Sequence, residues 1–330
     1  MPAHKPSQGT ILIADDNEDV RKLLAEMLRR QGYRVIGVAD GEQAFLEICS
    51  QPVDLALLDV RMPVRTGFSV CRAIKSRPET RLVPVVLITG LGRAEDRMHG
   101  IEAGADDFLS KPVRKEELLA RVRSLVRVKH YTDDLESAET VLFTLARSIE
   151  AKDPYTEGHC DRLSRYALAL GKKMGLSEEQ RVSLRRAAIV HDIGKVAVPE
   201  FVLRKPGPLD SAERKIMEKH TVVGEHICES LKSFRQILPI IRSHHEKQDG
   251  TGYPDHLKGK EIPLMARILQ TVDIYDSLTT DRPYRKALPR EKALEIMREE
   301  TRRGWWDAEL VGALQGLLQE SPMAFSAPAA

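Results

Sequence analysis

What the 330-residue chain lacks narrows its class first. Residues 1–9 hold no apolar h-region, so no secretory leader is expected. No run approaches the roughly 18 apolar residues of a membrane helix. Only four cysteines are present, Cys49, Cys71, Cys160 and Cys228, and none has CxxC spacing. They read as reduced packing residues of a cytoplasmic protein, Cys160 included although it follows a candidate ligand. One-sided charge is absent too: 51 basic against 49 acidic residues leave a net +2, which gives no field for bulk nucleic-acid binding. A smaller anionic ligand stays open, because local clusters matter more than the sum. Hydrophobic content of 42% and charged content of 30% allow two ordinary globular domains.

The first third alternates short apolar runs with amphipathic ones. Thr10–Ala14, Val35–Ala39, Leu55–Leu58, Val83–Thr89 and Asp107–Leu109 read as strands. Val20–Gln31, Glu42–Ser50, Phe68–Ser76 and Arg93–Ala103 read as helices. In the first of these, Val20, Leu23, Leu24, Met27 and Leu28 share a face and Gly32 is the stop. This alternation predicts a parallel sheet with helices on both faces. Lys115 to about Ile149 is helical with two apolar stripes, one through Leu118, Val122 and Val126 and one through Leu135, Leu142 and Ile149. The expectation is two packed helices; a signalling helix or dimer seam is the alternative. From Asp153 onward the pattern is helical, broken mainly at Pro206-Gly207-Pro208 and Asp249–Pro254. Asp210 and Glu213 form a capping box that is expected to open the helix carrying His220. Ser321–Ala330 reads as a frayed tail.

Asp15, Asp16, Asp59, Thr89 and Lys111 all sit at carboxyl ends of the expected strands, where open parallel sheets bind ligands. Three converging carboxylates need a hard cation between them, and Mg²⁺ fits. Asp59 directly ends the central strand and is the candidate nucleophile toward phosphorus. Thr89 and Lys111 are placed to meet the new phosphoryl oxygens. The runs ADDN (14–17), LLDVRMPVRTG (57–67), LITG (87–90) and GADDFLSKP (104–112) resemble the receiver domain of two-component response regulators, over about Thr10–Val128. The resemblance implies the flavodoxin-like strand order, phosphotransfer from a sensor histidine kinase, a cis Lys111-Pro112 bond and Phe108 as the switch aromatic.

The remainder carries a second constellation. His191 and Asp192 follow an apolar run, Leu184–Val190, and a buried, unpaired aspartate is costly unless a metal takes it. Lys195 falls four and three residues later, within reach of the same side. His220 and Asp273 lie among apolar neighbours; either alone would read as a hydrogen-bonded core residue. Adjacent His244 and His245 diverge by about 100° on a helix, so both reach one centre only at a helix end. Gly250 and Gly252 supply the loop that follows. Imidazole and carboxylate without thiolate suit Fe, Mn or Zn and disfavour Ca²⁺. Two such ions about 3.5–4 Å apart suit phosphoester hydrolysis, with Asp192 as the natural bridge.

His159, HDIGK (191–195), His220, HHEKQDGTGYP (244–254), Asp273 and DRPYR (281–285) together resemble the HD-GYP subgroup of the HD phosphohydrolases, over about Ile149–Leu317. The resemblance implies hydrolysis of cyclic di-GMP to pGpG, and on to GMP in some members. It implies one metal held by His159, His191, Asp192 and Asp273, and a second by His220, His244 and His245 sharing Asp192. Fe or Mn is favoured. Lys195, Arg282 and Arg285 would meet phosphates, and Tyr253 and Pro254 belong to the signature loop. One departure concerns a third metal: the Glu that such members place four residues before the first histidine is Tyr155 here, with Glu157 two positions off. A two-metal site and pGpG as main product follow. Trp306 and Ala308 also depart from the subgroup's usual Phe and Pro, a packing change.

The expected architecture is therefore multidomain: a tail (1–9), an α/β receiver with a five-stranded parallel sheet (10–128), a helical linker (129–149), an all-α HD-superfamily domain (150–320) and a tail (321–330). The expected activity is cyclic di-GMP hydrolysis under control of phosphate on Asp59. Alternatives are a catalytically weak effector that binds cyclic di-GMP or a diguanylate cyclase, and an HD hydrolase of another cyclic dinucleotide. A homodimer is expected by resemblance. DNA binding is not, since no third domain with a recognition helix remains.

Overall fold

A computed structural model describes residues 8–90, 94–151, 158–281 and 285–320. The chain divides into two compact units, Met1–Ala138 and Glu139–Ala330. Arg93, Tyr155, Glu157, Arg282 and the 321–330 tail, on which the sequence carries expectations, lie outside the described residues.

The first unit runs β1 (Thr10–Ala14), α1 (Glu18–Arg29), β2 (Arg34–Val38), α2 (Gly41–Ser50), β3 (Leu55–Asp59), α3 (Gly67–Lys75), β4 (Val85–Thr89), α4 (Ala94–Glu102), β5 (Asp107–Ser110) and α5 (Lys115–Glu150). The five strands pair in parallel in the order β2-β1-β3-β4-β5. That order reverses direction between β1 and β3, so a crevice opens beside the carboxyl ends of those two strands. Alternate residues of each strand bury on opposite faces. Leu12, Leu58 and Leu87 join one core with α2 and α3 residues, and Ile13, Leu57 and Ile88 join the other with α1 and α5 residues. Helix α1 starts where the Asn17 side chain accepts from the Asp19 and Val20 amides. Leu24, Ala25 and Leu28 face the core, whereas Leu23, expected on that face, is 54% exposed. Its position is one helical step off the narrow buried stripe.

The expectation of two packed helices over 115–149 is corrected: α5 is one helix of 36 residues. No Gly or Pro interrupts it, and Lys129 and Asp133 pair one turn apart where a break would have fallen. Leu118, Val122 and Val126 belong to a core of the first unit, and Ala146 and Ile149 to the core of the second.

The described part of the second unit after α5 is helical: α6 (His159–Lys173), α7 (Glu178–Val190), a 3₁₀ turn (Ile193–Ala197), α8 (Glu200–Leu203), α9 (Ser211–Glu218), α10 (His220–Glu229), α11 (Leu238–Ser243), α12 (Leu264–Thr279), α13 (Arg290–Arg302) and α14 (Ala308–Glu320). Its core gathers Leu163 and Leu170 of α6, Leu184 of α7, Ile241 of α11, Leu269 of α12 and Leu314 of α14. Capping boxes open α7 (Ser177 with Gln180) and α9 (Asp210 with Glu213); His220, expected on the helix that the second box opens, instead begins the next one, α10. Gly194 lets the 3₁₀ turn lie against α10: a Cβ there would stand 1.9 Å from the His220 carbonyl oxygen. No described helix is long and apolar enough to cross a membrane.

Candidate metal centre

Two groups of ligand atoms form within the second unit. His159, His191 and Asp273 make one; Asp192, His220, His244 and His245 make the other, the atoms of each lying within 4.8 Å of one another. Different elements deliver them: His159 opens α6, His191 and Asp192 follow α7, His220 opens α10, His244 and His245 follow α11, and Asp273 lies on α12. The two adjacent histidines do sit at a helix end, where the chain leaves helical geometry and both rings can turn to one side.

Asp192 stands between the groups. Its Oδ2 lies 3.4 Å from His191 Nε2, and its Oδ1 lies 3.4 Å from His220 Nε2 and 4.0 Å from His244 Nε2. Oδ1 is buried and accepts no hydrogen bond. A buried carboxylate oxygen without a donor is costly, and a cation among these imidazoles satisfies it. This orphaned oxygen and the thiolate-free donor set fit divalent metal ions. Lys195 Nζ is 2.6 Å from Asp192 Oδ2.

The imidazoles are held from behind. Nδ1 of His191, His220 and His244 lies 3.0, 2.7 and 2.6 Å from the carbonyl oxygens of Ala188, Met217 and Ile241. Nδ1 of His159 lies 2.7 Å from Asp276 Oδ2. A proton on each Nδ1 leaves Nε2 free to ligate. Burial also holds His244 and His245 well below the usual imidazole range, with neighbouring imidazoles adding to it. Burial lowers His220 in the same way. Burial opposes charge on His191 too, but Asp192 and Asp273 outweigh it and raise that group. Burial works against the Asp192 carboxylate, yet Lys195, His191 and His220 together keep it well below its ordinary value. At His220, His244 and His245, neutral imidazoles beside an ionised Asp192 are the protonation states that ligation needs.

Four supporting residues escaped the sequence reading. Asp276 and Arg162 back His159, with Arg162 Nε 2.7 Å from Asp276 Oδ1. The only sequence signal was the Asp273–Asp276 spacing, one turn apart in an apolar helix. Glu246 is fully buried and accepts from the Asp255 and Leu257 amides at 2.6 and 3.1 Å, which ties back the signature loop. Gln270 donates to the carbonyl oxygens of His244 and Glu246. In that loop Gly252 packs so closely that a Cβ would lie 2.3 Å from the Lys247 amide nitrogen.

A cleft of about 420 Å³ opens on the ligands, lined also by Lys195, Arg214, Lys247, Tyr253, Arg285 and Trp306. Tyr253 stacks on His245, ring centroids 4.9 Å apart. Arg285 lines the cleft and donates to the Ser277 carbonyl oxygen at 2.5 Å, so part of its guanidinium is committed to the fold. Cys160 is buried, its thiol pushed up by burial, and donates to the Ile189 carbonyl oxygen.

In the first unit, carboxylate oxygens of Asp15, Asp16 and Asp59 also converge within 4.8 Å. Lys111 Nζ lies 2.8 Å from Asp15 Oδ2 and 3.0 Å from Asp59 Oδ2. Burial raises Asp59 above the usual carboxylate value, with Lys111 pulling the other way. Three close acids, two of them paired with one lysine, suit a hard cation, as Mg²⁺ is. Thr89 is buried at the end of β4, Phe108 packs half-buried against the α2–α3 side core, and Lys111-Pro112 is cis.

Comparison with known proteins matches residues 11–123 to the response regulator receiver domain and residues 144–310 to the HD domain. The chain is similar to the cyclic di-GMP phosphodiesterase response regulator RpfG of Xanthomonas campestris pv. campestris, 35% identical over 87% of this chain and 82% of that protein. It is similar to a cyclic di-GMP phosphodiesterase of Thermotoga maritima, 32% identical over 86% of this chain and 84% of that protein. A 3'3'-cGAMP-specific phosphodiesterase 3 of Vibrio cholerae is 41% identical over 65% of this chain and 46% of that protein.

Proposed function

The chain belongs to the HD-domain family, as a response regulator that joins a receiver to an HD domain, and from that premise we propose that it hydrolyses cyclic di-GMP to pGpG under the control of phosphate on Asp59. The observation that carries this reading is Asp192, whose two oxygens face two separate ligand groups at the floor of one cleft.

His159, His191, Asp192 and Asp273 would hold one ion, and His220, His244 and His245 with Asp192 the other; Fe or Mn suits them. Such a pair supplies an activated water and neutralises charge gathering on the phosphoryl group. The protein's own residues set the rest. Lys195, fixed by Asp192, presents a cation where negative charge develops on the phosphoryl oxygens. Arg285 borders the cleft for a phosphate, and Tyr253 offers an aromatic wall beside His245. In the receiver, Asp59 is the phosphoacceptor, Mg²⁺ would be held by Asp15, Asp16 and Asp59, and a sensor histidine kinase is the donor class. Thr89, Lys111 and Phe108 would register the phosphate, shifting a two-state equilibrium.

The Vibrio cholerae relative favours a second reading, in which the substrate is 3'3'-cGAMP. One assay separates the two. Protein loaded anaerobically with Fe or Mn is given both cyclic dinucleotides in competition, and linear products are resolved. Preferential pGpG formation supports the proposal. Preferential loss of 3'3'-cGAMP moves the assignment to the second reading. Nucleotide binding with no product from either leaves a binding effector.

A further inference from the structure

The four supported histidines rest on partners of two kinds. Behind His191, His220 and His244 is a neutral backbone carbonyl; behind His159 is a carboxylate. That carboxylate, Asp276, is 1% exposed. Arg162 holds it by a fork, Nε to Oδ1 at 2.7 Å and Nη2 to Oδ2 at 3.1 Å. Asp273 Oδ1 lies 3.4 Å from the other nitrogen of the same imidazole. Both acids come from α12, three residues apart and therefore on neighbouring positions of one helix face. The same helix thus holds this imidazole at Nδ1 and places a second carboxylate beside its Nε2.

A carbonyl behind Nδ1–H selects the tautomer. A carboxylate does that and also pushes electron density toward Nε2, which strengthens the metal bond. The guanidinium fork keeps Asp276 from rotating away. We propose that Asp276, oriented by Arg162, is a positioning residue that makes the His159–His191–Asp273 position the tighter of the two metal positions, the one that fills first. The inference rests on the two-metal reading of the cluster and not on the choice of nucleotide.

The test titrates metal-stripped full-length protein with Mn²⁺ alone, following free Mn²⁺ by electron paramagnetic resonance and heat by calorimetry. The wild type is expected to take one ion tightly and a second more weakly. Asp276→Asn keeps the size and removes the charge; it should weaken the first ion about 10–100-fold and leave the second unchanged. His245→Ala, in the other group, should weaken only the second ion. If Asp276→Asn fails to fold, Arg162→Lys keeps a cation against the acid and gives up the fork, and should weaken the same first ion by less. Both ions bound as in the wild type by the variants at 276 and 162 overturn the proposal. So does equal weakening of both ions, the signature of general loosening. A wild type that takes up no Mn²⁺ overturns the two-metal reading itself, an outcome distinct from a wild type that binds two ions and a variant that matches it.

Discussion

Lys195 Nζ lies 2.6 Å from Asp192 Oδ2, while Oδ1 of the same carboxylate is buried without a hydrogen bond. The lysine secures one oxygen and leaves the other to the histidines, so the two residues act together but are not interchangeable.

Replacing Lys195 by Ala should therefore lower kcat by about 10²–10³-fold, the size of one lost charge-stabilising donor. Both ions should remain, because the ligand atoms are untouched. Steady-state kinetics beside metal analysis checks this; lost metal would make Lys195 a structural partner of Asp192 alone.

Asp192→Asn should cost far more. Asparagine brings one oxygen and one amide donor to a place where two acceptors are needed. The expected result is at most one ion per chain and no measurable turnover, while the receiver still takes phosphate from acetyl phosphate. Two bound ions in this variant would remove Asp192 from the bridging role.

Asp59→Asn should abolish phosphorylation in a phosphate-affinity gel and leave the metal content of the second unit unchanged. It also makes a pH prediction. Burial raises the folded Asp59 above its ordinary value near 3.8, so the folded state binds the extra proton. Stability relative to asparagine then falls as pH rises through the window just above 3.8, and it levels off once Asp59 is ionised in both states. In Mg²⁺-free buffer at pH 7, β3 amides should exchange more slowly in Asp59→Asn than in the wild type, and equally below that window.

Glu246→Gln tests the loop anchor. Glutamine has one carbonyl oxygen for two backbone donors, and its amide would face an N–H. A cost of about 1–3 kcal/mol is expected. Denaturant unfolding should show it, with faster proteolysis across 248–257 and a raised KM. Wild-type behaviour would mean that the stacking of Tyr253 on His245 is enough to hold the loop.

Much of this was legible in the chain. Five short apolar runs, four of them leading into Asp15, Asp59, Thr89 or Lys111, reported the sheet and its crevice, because strand ends and ligand ends coincide in open parallel sheets. The metal-seeking residues were legible as types at spacings. Their partners were not. Asp276 resembles any acid one turn from another, and Glu246 resembles a surface glutamate after two histidines. Only packing shows that both are buried. Helix α5 departs from the expected pair for a related reason: two apolar stripes suggest two helices, yet no Gly or Pro interrupts the backbone between them.

By itself, then, the sequence determined which chemistry is present: an acid cluster suited to a hard cation, and a thiolate-free set of histidines and aspartates with a glycine-rich loop. Local pattern and donor type are properties of the chain. The tertiary structure alone decided where those donors stand relative to one another and what backs them. Asp192 became the residue between two groups, and His159 the one backed by a carboxylate, because both depend on where α6, α7, α10, α11 and α12 bring atoms together across long sequence separations. Distances of that kind are set by packing, and no spacing along the chain encodes them.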